Sequence, residues 1–423
     1  MKRVVVTGMG IVSPVGVGVN TAWDNIINSK SGLGKTSGFD ASSLPSHVSG
    51  EVPLGSYEEG KWNPEEWVDA KELRRIDKFI AYAISASRQA MQDANFGELT
   101  EAEKEEFGVH LGSGIGGLQT IYENSVLLGN DQYRKMSPFF IPAALINLPS
   151  GHVSIEYDLK GPNLSIVTAC ATGTHAIGDS YKMIRDGEAL MMIAGGAEAS
   201  VNPIGVAGFA RMNALSTQYN DNPQAASRPW DKGRDGFVIA EGSGVLVLEE
   251  YEHAKARGAK IYAEIVGYGS SGDANHITAP CADGNGAARC MERALRFGGI
   301  KKEDIGYINA HGTSTPLGDK AEIQGIKKVF GEHAYNLSVS STKSATGHLL
   351  GASGAIEAIF SIKALQTEIL PPTLNLENRD EEVDPKIDLV PLVSKKKDIQ
   401  YAMSNSFGFG GTNGTLIFKK YSE

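Results

Sequence analysis

Among the residues that could carry chemistry, Cys170 has the most suggestive surroundings in the sequence. It follows the apolar run 164–169 and precedes a helical pattern that closes at Gly187. A thiol at the start of a helix meets free backbone amides and the positive end of the helix dipole, and both favour the nucleophilic thiolate. The small residues around it leave room for a substrate carbonyl. Because an isolated cysteine is more often a buried structural residue, position alone leaves both interpretations open.

Two histidines lie on glycine-flanked turns of the same kind. His311 follows the apolar run 305–309 in NAHGTSTPLGD, and His348 lies in STKSATGHLLGASG. The ends of buried strands line the reaction cleft of layered α/β sheets. Either histidine alone would more often be structural, but two of them together with a cysteine at a strand end favour catalysis. The remaining histidines and cysteines lack this combined setting: His47, His110, His152, His175, His253, His276, His333, Cys281 and Cys290.

Residues 112–117, GSGIGG, leave a rival function open. They match the GxGxxG turn of dinucleotide-binding proteins, and the acidic Asp131 follows about twenty residues later. Against this, Asp131 lies in the polar stretch GNDQYRK, and the first βα turn, GMGIVS, lacks the third glycine. A dinucleotide-binding oxidoreductase would bind NAD(H) saturably, so a fluorescence titration would separate the two functions. Residues 406–413, SFGFGGTN, fit either a mobile loop with an aromatic gate or a glycine turn with core phenylalanines.

The composition of the 423-residue chain excludes several classes of function. Its formal net charge of −10 opposes general binding to nucleic acid, which needs a basic surface. The three cysteines are too few for a disulfide framework and lack zinc-binding spacing, which favours a reducing, cytoplasmic setting. The N-terminal MKRVVVTGMGIVSP predicts a buried strand and not a signal peptide, and no apolar run reaches the roughly 18 residues that a membrane span requires.

Short β-branched runs alternate with longer helical patterns, which predicts a layered α/β fold. One long helix is expected over residues 70–94, where Leu73, Ile76, Ile80 and Ala83 begin an apolar face at helical spacing. The predicted strands cover residues 3–7, 109–112, 164–168, 191–194, 244–248, 261–267, 305–309, 338–341 and 416–418.

A faint internal repeat indicates two related halves. Residues 163–173, NLSIVTACATG, resemble residues 336–347, NLSVSSTKSATG, and in both a strand meets a small-residue turn that opens a helix. The charged stretch EEYEHAKARGAK separates two apolar strands and marks the joint. We therefore predict a first half over residues 1–255, with the candidate cysteine, and a second over residues 256–423, with both candidate histidines.

Six stretches of the sequence, in order, resemble those of the β-ketoacyl-acyl carrier protein synthases, condensing enzymes of the thiolase superfamily. They span nearly the whole chain: VVVTGMG, VTACATG, SRPWDKGRDGFV, NAHGTSTPLGD, SSTKSATGHLLGASGAIEA and NSFGFGGTNGTLIF. The order Cys–His–His separates this branch from the initiating synthases, with Cys–His–Asn, and from thiolases, with a second cysteine. GSGIGG with Ile115 resembles the synthase II branch, since synthase I typically has glycine there. A polyketide-type ketosynthase or a synthase I is the alternative within the class.

The resemblance implies a thiolase-like αβαβα sandwich of two related halves, a homodimer, and a role in fatty acid chain elongation. Cys170 would take the acyl group from a carrier-bound thioester and hold it. His311 and His348 would promote loss of the carboxylate from malonyl-carrier protein, and the resulting enolate would attack acyl-Cys170 to give a 3-oxoacyl-carrier protein. No cofactor of its own is implied, since the acyl carrier protein brings the phosphopantetheine arm. Neither nucleic acid nor a membrane is an expected partner.

The same resemblance assigns further roles. The amides of Cys170 and Phe409 would form the oxyanion hole. Lys343 would be an active-site lysine held by Asp319 and Glu322 in an ion-pair network. The remaining assignments are an acyl pocket and gate of Ile115, Phe209 and Phe409, a pantetheine channel with Thr278, Thr313 and Thr315, and a structural monovalent cation near Asn309, Glu357, Ser404 and Asn405.

A basic surface is also expected. Lys71, Arg74, Arg75 and Lys78 follow helical spacing and predict one positive helical face. Such a face is often merely solvated, but the matching positions in the family meet the acidic carrier protein. Arg211, in GFARMNALS, stands two positions before the arginine of many relatives, so the resemblance leaves its contact with the carrier open.

Overall fold

Within residues 1–422, which the computed structural model describes, eleven strands join in one mixed sheet. Ten of them form its path: β1 Val4–Ser13, β2 Phe107–Gly112, β3 Asn163–Leu164, β4 Met191–Glu198, β5 Gly242–Glu250, β6 Ala263–Gly272, β7 Ile305–Asn309, β8 Ser338–Ser340, β9 Tyr401–Gly408 and β10 Thr412–Lys420. The eleventh, Gly16–Val17, pairs with the end of β1. Two small pairs lie apart from this sheet: Gly34–Lys35 with Val48–Ser49, and Ile369–Leu370 with Lys395–Lys396.

The strand order reveals the two related halves. It runs β8-β7-β9-β10-β6-β1-β5-β4-β2-β3, and the antiparallel pair of β1 and β6 joins the halves at Val4, Val5 and Val6. Outward from this joint, each half repeats one pattern. Two antiparallel pairings are followed by two parallel ones, through β5, β4, β2 and β3 on one side and β10, β9, β7 and β8 on the other.

Five long helices complete the layers: α1 Lys78–Ala94, α2 Thr172–Asp186, α3 Asn285–Gly298, α4 Pro316–Phe330 and α5 Ser353–Thr367. Helix α1 packs outside the first half, on β1 and β5, whereas α3 packs outside the second, on β6 and β10. Helices α2 and α5 lie between the halves and contact strands of both. The predicted αβαβα sandwich is thereby confirmed.

The sequence explains why α5 belongs to the middle layer. Apolar side chains point in every direction around this helix, and Ile356, Ile359, Phe360 and Ile362 are all fully buried. A helix without a polar face is stable only where sheets cover it on both sides. The shorter helices around this frame are Val19–Ile27, Pro64–Trp67, Ala70–Leu73, Glu101–Glu105, Leu118–Gly129, Phe140–Ala144, Leu148–Tyr157, Pro203–Arg211, Tyr251–Ala256 and Lys343–Thr346. No helix in residues 1–422 is both long and apolar enough to cross a membrane.

The single helix expected over residues 70–94 is wrong. A short helix ends at Leu73, and α1 begins anew at Lys78. Between them the buried side chain of Asp77 caps α1 by accepting from the amide of Phe79, and its second oxygen accepts from the amide and hydroxyl of Thr120. A cap residue lies outside the helix that it starts. The four basic residues of this segment therefore do not share one helical face.

The strand expected over residues 164–168 is mostly wrong as well. Pairing with β2 stops at Leu164, and the chain then runs unpaired to the turn before α2. Leu164 is 41% exposed and Val167 is 52% exposed, so this apolar segment lies on the surface. The other predicted strands are present, several of them longer than expected.

Candidate active site

A cavity of about 440 Å³ opens between the halves and brings most of the predicted site together. GSGIGG follows β2, His311 follows β7 and Phe409 follows β9, so the site lies at the carboxyl ends of parallel strands. The predicted residues that line the cavity are Cys170, Phe209, Thr278, His311, Thr313, Thr315, Glu322, His348 and Phe409. Phe407, on the same loop as Phe409, lines it too.

Cys170 lies on a sharp turn that leads into α2. The residue before it, Ala169, has a φ of 48°, which is unfavourable for a residue with a side chain. The hydroxyl of Thr172 holds this turn, since it accepts from the amide of Thr168 at 2.9 Å and donates to the carbonyl of Ala169 at 2.8 Å. The strained backbone at Ala169 therefore presents the thiol to the cavity.

The expectation that the helix start would favour a free thiolate is wrong for this buried position. Burial raises the pKa of the Cys170 thiol to about 11, and the amide of Phe409 and the charge of Lys343 only partly oppose it. The backbone amides of Phe409 and of Cys170 itself nevertheless lie near enough to the sulfur to lower this pKa as hydrogen-bond donors. Two amides from separate loops that converge on one point form the arrangement that an oxyanion hole needs.

The two histidines face each other across the cavity floor. Their ring centroids are 5.3 Å apart, with the planes 85° from parallel. Burial, and after it the positive charge of Lys343, hold the pKa of both His311 and His348 well below the usual range. Both rings are therefore neutral near pH 7 and can donate a hydrogen bond to a developing oxyanion. Ser353 fixes one ring, since its Oγ lies 2.9 Å from Nδ1 of His348.

The structure corrects the predicted ion-pair network of Lys343. Its Nζ pairs with Glu357, and both side chains are almost fully buried. Asp319 lies 3.5 Å from Arg234 and accepts from the amide of Ser314, so it holds the loop after His311 instead. Burial raises the pKa of Asp319 to about 6 and that of Glu357 to about 7.

Glu322 supports His311 through the backbone. Its carboxylate accepts from the amides of His311 at 2.9 Å and Gly312 at 2.8 Å, and burial raises its pKa to about 7. Such a pair of bonds fixes the turn on which the imidazole is carried. Glu322 therefore positions a histidine, in addition to lying near the charge of Lys343.

The residues expected around a cation lie directly behind this network. Within residues 1–422, the side-chain polar atoms of Asn309, the Oγ of Ser404 and the Oε2 of Glu357 are buried without a hydrogen-bond partner. Asn405 differs, because its amide nitrogen lies 3.3 Å from Glu322 and its oxygen accepts from Thr415. In the described part of the chain, no cluster of three or more His, Cys, Asp or Glu side chains could hold a metal.

Glu198 is a site residue that the sequence reasoning missed. It ends β4, is fully buried, and accepts from the amides of Gly114 at 2.8 Å, Ile115 at 3.2 Å and Gly351 at 3.0 Å. The GSGIGG amides are thus taken by a carboxylate, which excludes the phosphate cradle of the dinucleotide hypothesis. The one available signal was an acidic residue at the end of the apolar run MMIAGGAE.

Ile115 lies behind the open cavity and not on its wall. It packs against the apolar cluster that contains Cys170, Leu350 and Phe237, and Phe209 packs there too. The rings of Phe209 and Phe237 meet edge to face at 5.4 Å. This apolar cluster includes the nucleophile, and two of the three residues expected for the acyl pocket and its gate pack against it.

The basic residues of the expected carrier surface have unequal surroundings. Lys78 pairs with the buried carboxylate of Glu241 at 2.7 Å, and the guanidinium of Arg75 stacks over Phe139 at 4.8 Å. Lys71 and Arg74 are exposed, and within residues 1–422 neither forms an ion pair. Of these four basic residues, Lys71 and Arg74 are therefore the ones whose charges are available to a partner.

Comparison with known proteins now identifies the class. The model of the β-ketoacyl synthase N-terminal domain matches residues 1–254, and that of the C-terminal domain matches residues 262–377. The 3-oxoacyl-[acyl-carrier-protein] synthase 2 of Rhizobium meliloti (strain 1021) is 51% identical over 422 residues, which are 100% of each chain. A solved β-ketoacyl synthase from Burkholderia phymatum STM815 is 36% identical with a TM-score of 0.91, over 100% of each chain.

A second solved structure contains a partner. It is a type II PKS acyl-carrier protein in complex with its ketosynthase, and the matching chain is 34% identical with a TM-score of 0.89 over 100% of each chain. Fold, site and comparisons together define a condensing acyltransferase with a thiolase-like fold. The chain belongs to the β-ketoacyl synthase family, and the predicted function of a β-ketoacyl synthase in fatty acid elongation is confirmed.

Proposed function

We propose that Cys170, His311 and His348 carry out decarboxylative condensation of an acyl chain with malonyl-acyl carrier protein. The observation that supports this most strongly is their convergence on one cavity, with two backbone amides near the thiol and two neutral imidazoles beside it. Each part of that arrangement corresponds to one need of the reaction.

The first step is acyl transfer. The sulfur of Cys170 attacks the thioester carbonyl of the acyl-carrier protein, and the amides of Cys170 and Phe409 hold the oxygen of the tetrahedral intermediate. The carbon–sulfur bond to the carrier breaks, and the carrier thiol leaves with the proton that the cysteine loses. Because the resting thiol has a raised pKa, its proton is removed only as the substrate binds.

The second step is condensation. Neutral His311 and His348 donate hydrogen bonds to the thioester oxygen of malonyl-carrier protein while its terminal carboxylate leaves as CO₂. The resulting enolate attacks the acyl carbonyl, the Cys170 thiolate leaves and takes up a proton from water, and a 3-oxoacyl-carrier protein is released. Burial keeps both histidines unprotonated, and the positive charge of Lys343 adds to this effect; its pairing with Glu357 holds that charge in place.

The carrier protein docks, in this proposal, at the cavity mouth. Met212 and Leu317 line the cavity and are 48% and 65% exposed, and Ile277, 72% exposed, lies on the adjoining loop. Arg211 is exposed directly beside Met212. An apolar rim with the positive charge of Arg211 nearby suits an acidic carrier that delivers a long, mostly apolar arm.

The distant charges Lys71 and Arg74 would steer the same carrier. Changing both to Glu should slow carrier association severalfold at low salt, with the difference largely lost at high salt. Acylation of Cys170 by a small thioester without the carrier should be unchanged. Lys78→Gln is the matched control for lost positive charge, since Lys78 is held by Glu241; it is expected to reduce stability but not association. Equal losses with both substrates would contradict steering.

We propose that the enzyme is a homodimer that joins through the segment after β3. This strand ends the sheet, and the unpaired segment 165–168 that follows it exposes the apolar side chain of Val167. Open apolar strand edges readily pair with a second copy. Val167→Lys should give a monomer in analytical ultracentrifugation, whereas Val393→Lys, at a 67% exposed position elsewhere, should leave the dimer intact. If both variants remained dimers, the result would contradict this interface.

The free thiols suit the reducing cytoplasm, where we propose that the enzyme works.

A structural monovalent cation is also proposed, supported by the buried oxygens of Asn309, Ser404 and Glu357 that lack hydrogen-bond partners in the described chain. Oxygen donors of this kind suit hard cations. Dialysis against a bulky organic cation should lower the unfolding temperature, and sodium or potassium should restore it. If the unfolding temperature were the same with and without sodium or potassium, ordered water would be the partner of these oxygens instead.

The direct test of function is a reconstituted assay with acyl- and malonyl-carrier proteins, followed by mass spectrometry of the product. We expect a 3-oxoacyl-carrier protein two carbons longer than the acyl primer, with release of CO₂. Fatty acyl primers should be preferred over polyketide intermediates, in line with the 51% identity to the Rhizobium meliloti protein. Products that are extended repeatedly without reduction would favour a polyketide-type ketosynthase.

A further inference from the structure

The two amides that converge on Cys170 belong to different parts of the chain. One is on the turn before α2, and the other, from Phe409, is on the loop between β9 and β10. These backbones touch, since a Cβ on Gly408 would lie 2.8 Å from the carbonyl oxygen of Thr168 and 3.1 Å from the amide nitrogen of Cys170. Whatever holds the turn to the loop therefore sets the spacing of the two donors.

Three hydrogen bonds connect the turn to the start of β10, directly after the loop. The hydroxyl of Thr412 donates to the carbonyl of Thr168 at 3.0 Å. His175, one turn along α2, lies with Nδ1 2.7 Å from the hydroxyl of Thr168 and with Nε2 3.1 Å from the carbonyl of Asn413. We call Thr168, His175, Thr412 and Asn413 the clasp.

The protonation of His175 follows from its partners. A carbonyl oxygen only accepts, so Nε2 carries the hydrogen that is donated to Asn413. Burial lowers the pKa of this imidazole, so the ring is neutral and Nδ1 accepts from the hydroxyl of Thr168. The ring also packs edge to face against Tyr268 at 6.2 Å, which leaves it little freedom. His175 thus contacts Thr168 on the turn and Asn413 at the start of β10, directly after the loop.

We propose that His175 and Thr168 are positioning residues that keep the amides of Cys170 and Phe409 in register for acyl transfer and condensation. Both side chains lie behind the cavity wall and act through Cys170 and Phe409. The inference rests on the proposed roles of these two amides. The decarboxylating histidines are held by other contacts, through Ser353 and Glu322. Loss of the clasp should therefore separate the two activities.

Thr168→Val and His175→Gln are the informative variants. The first keeps the side-chain shape and removes the hydroxyl. The second keeps an amide donor for Asn413 but has no acceptor at the position where Nδ1 meets Thr168. We expect Cys170 acylation by a small thioester to slow by ~10- to 100-fold in each, since removing or displacing an oxyanion donor has effects of this order or larger. Malonyl decarboxylation, measured in the Cys170→Gln background, should change by less than about threefold, because its donors are untouched. The double variant should be hardly slower than either single one, as expected for one shared bridge.

Thr174→Val is the matched control. Thr174 also joins α2 to β9, through a 2.7 Å contact with Ser406, but it does not touch the turn. It should lose as much thermal stability as Thr168→Val and keep its acylation rate. Equal losses of acylation and decarboxylation in the clasp variants, or acylation at the wild-type rate in folded Thr168→Val, would overturn the inference. If the wild type itself showed neither activity, the proposed function would fail instead.

Discussion

The two halves of the molecule place different chemistry at the same point of one repeated design. In the first half, the residue seven positions after Asn163 is Cys170, a thiol on a strained turn at the cavity. In the second, the residue seven positions after Asn336 is Lys343, buried and paired with Glu357. One copy of the repeat presents a reactive group to the substrate. The other holds a buried positive charge that helps to lower the pKa of both histidines. The repeat thus supplies a nucleophile on one side and its electrostatic setting on the other.

The outermost strands of the two halves also differ, because one is covered by another segment of the chain and the other is exposed. Strand β8 is buried, because the segment around Asp388 covers it: the amide of Val339 donates to the carbonyl of Asp388 at 2.8 Å. Its counterpart β3 ends the sheet with both residues exposed. The second half closes its own edge, whereas the first leaves an apolar edge that a second copy of the chain can complete.

Substitution of the histidines should separate malonyl decarboxylation from acylation of Cys170 most clearly. His311→Ala or His348→Ala should lower malonyl decarboxylation by about 100-fold or more, since each removes a neutral donor from the developing enolate. Acylation of Cys170 by a small thioester should fall far less, because the thiol and the amides of Cys170 and Phe409 carry out that step. Decarboxylation followed as CO₂ release and acylation followed by mass spectrometry separate the two. Loss of acylation alone would reverse our assignment.

The stored charge of the second half predicts a stability effect. Lys343→Met should destabilise the protein by about 3–5 kcal/mol, since it leaves Glu357 buried without its partner. Cys170→Ala, at the equivalent position, should cost only about 1 kcal/mol, because it removes a single atom beside a cavity. Urea unfolding would measure both. The double change Lys343→Met with Glu357→Gln should recover part of the loss, and no recovery would argue against a simple ion pair.

The thiol itself predicts a pH dependence. With its pKa raised to about 11, Cys170 is almost entirely protonated at pH 7, so the thiolate fraction rises as pH rises toward that value. Alkylation by iodoacetamide should therefore accelerate about tenfold per pH unit between pH 7 and 9. The rate is followed by mass spectrometry of the peptide that carries Cys170. A plateau already near pH 7 would mean that Lys343 and the amides outweigh burial.

The smallest effect concerns the acyl pocket of the first half. Ile115→Phe should shorten the longest acyl chain accepted while sparing short primers, because the larger ring would fill the apolar cluster beside Cys170. Ile115→Val, which frees a little space, is the matched control and should keep or extend the limit. Acyl-enzyme formed from carriers of graded chain length gives the profile. An unchanged limit in the Phe variant would remove Ile115 from the pocket.

The sequence predicted the features that local pattern controls. Alternating runs revealed the layered fold, and the repeat revealed the halves. Glycine-flanked turns marked the two histidines, and the start of a helix after an apolar run marked Cys170. It could not predict the break at Asp77, because the apolar spacing of Leu73, Ile76 and Ile80 continues through it, and the break depends on Thr120 from a distant segment.

Partners chosen by tertiary packing were equally out of reach. Asp319, Glu322 and Glu357 are all acidic residues of the second half, and only the fold selects Glu357 for Lys343. His175 looked like any structural histidine, because its importance comes from Asn413, which lies in the last strand.

The most direct test of the account is to locate the acyl group and separate the two activities in one experiment. Wild-type, Cys170→Ala and Cys170→Gln proteins are incubated with acyl-carrier protein and malonyl-carrier protein and analysed by peptide mass spectrometry and CO₂ release. We predict an acyl adduct on Cys170 of the wild type alone, no condensation in either variant, and continued decarboxylation in Cys170→Gln, whose side chain mimics the acylated state. An adduct on Cys281 or Cys290, or normal condensation by Cys170→Ala, would contradict the account.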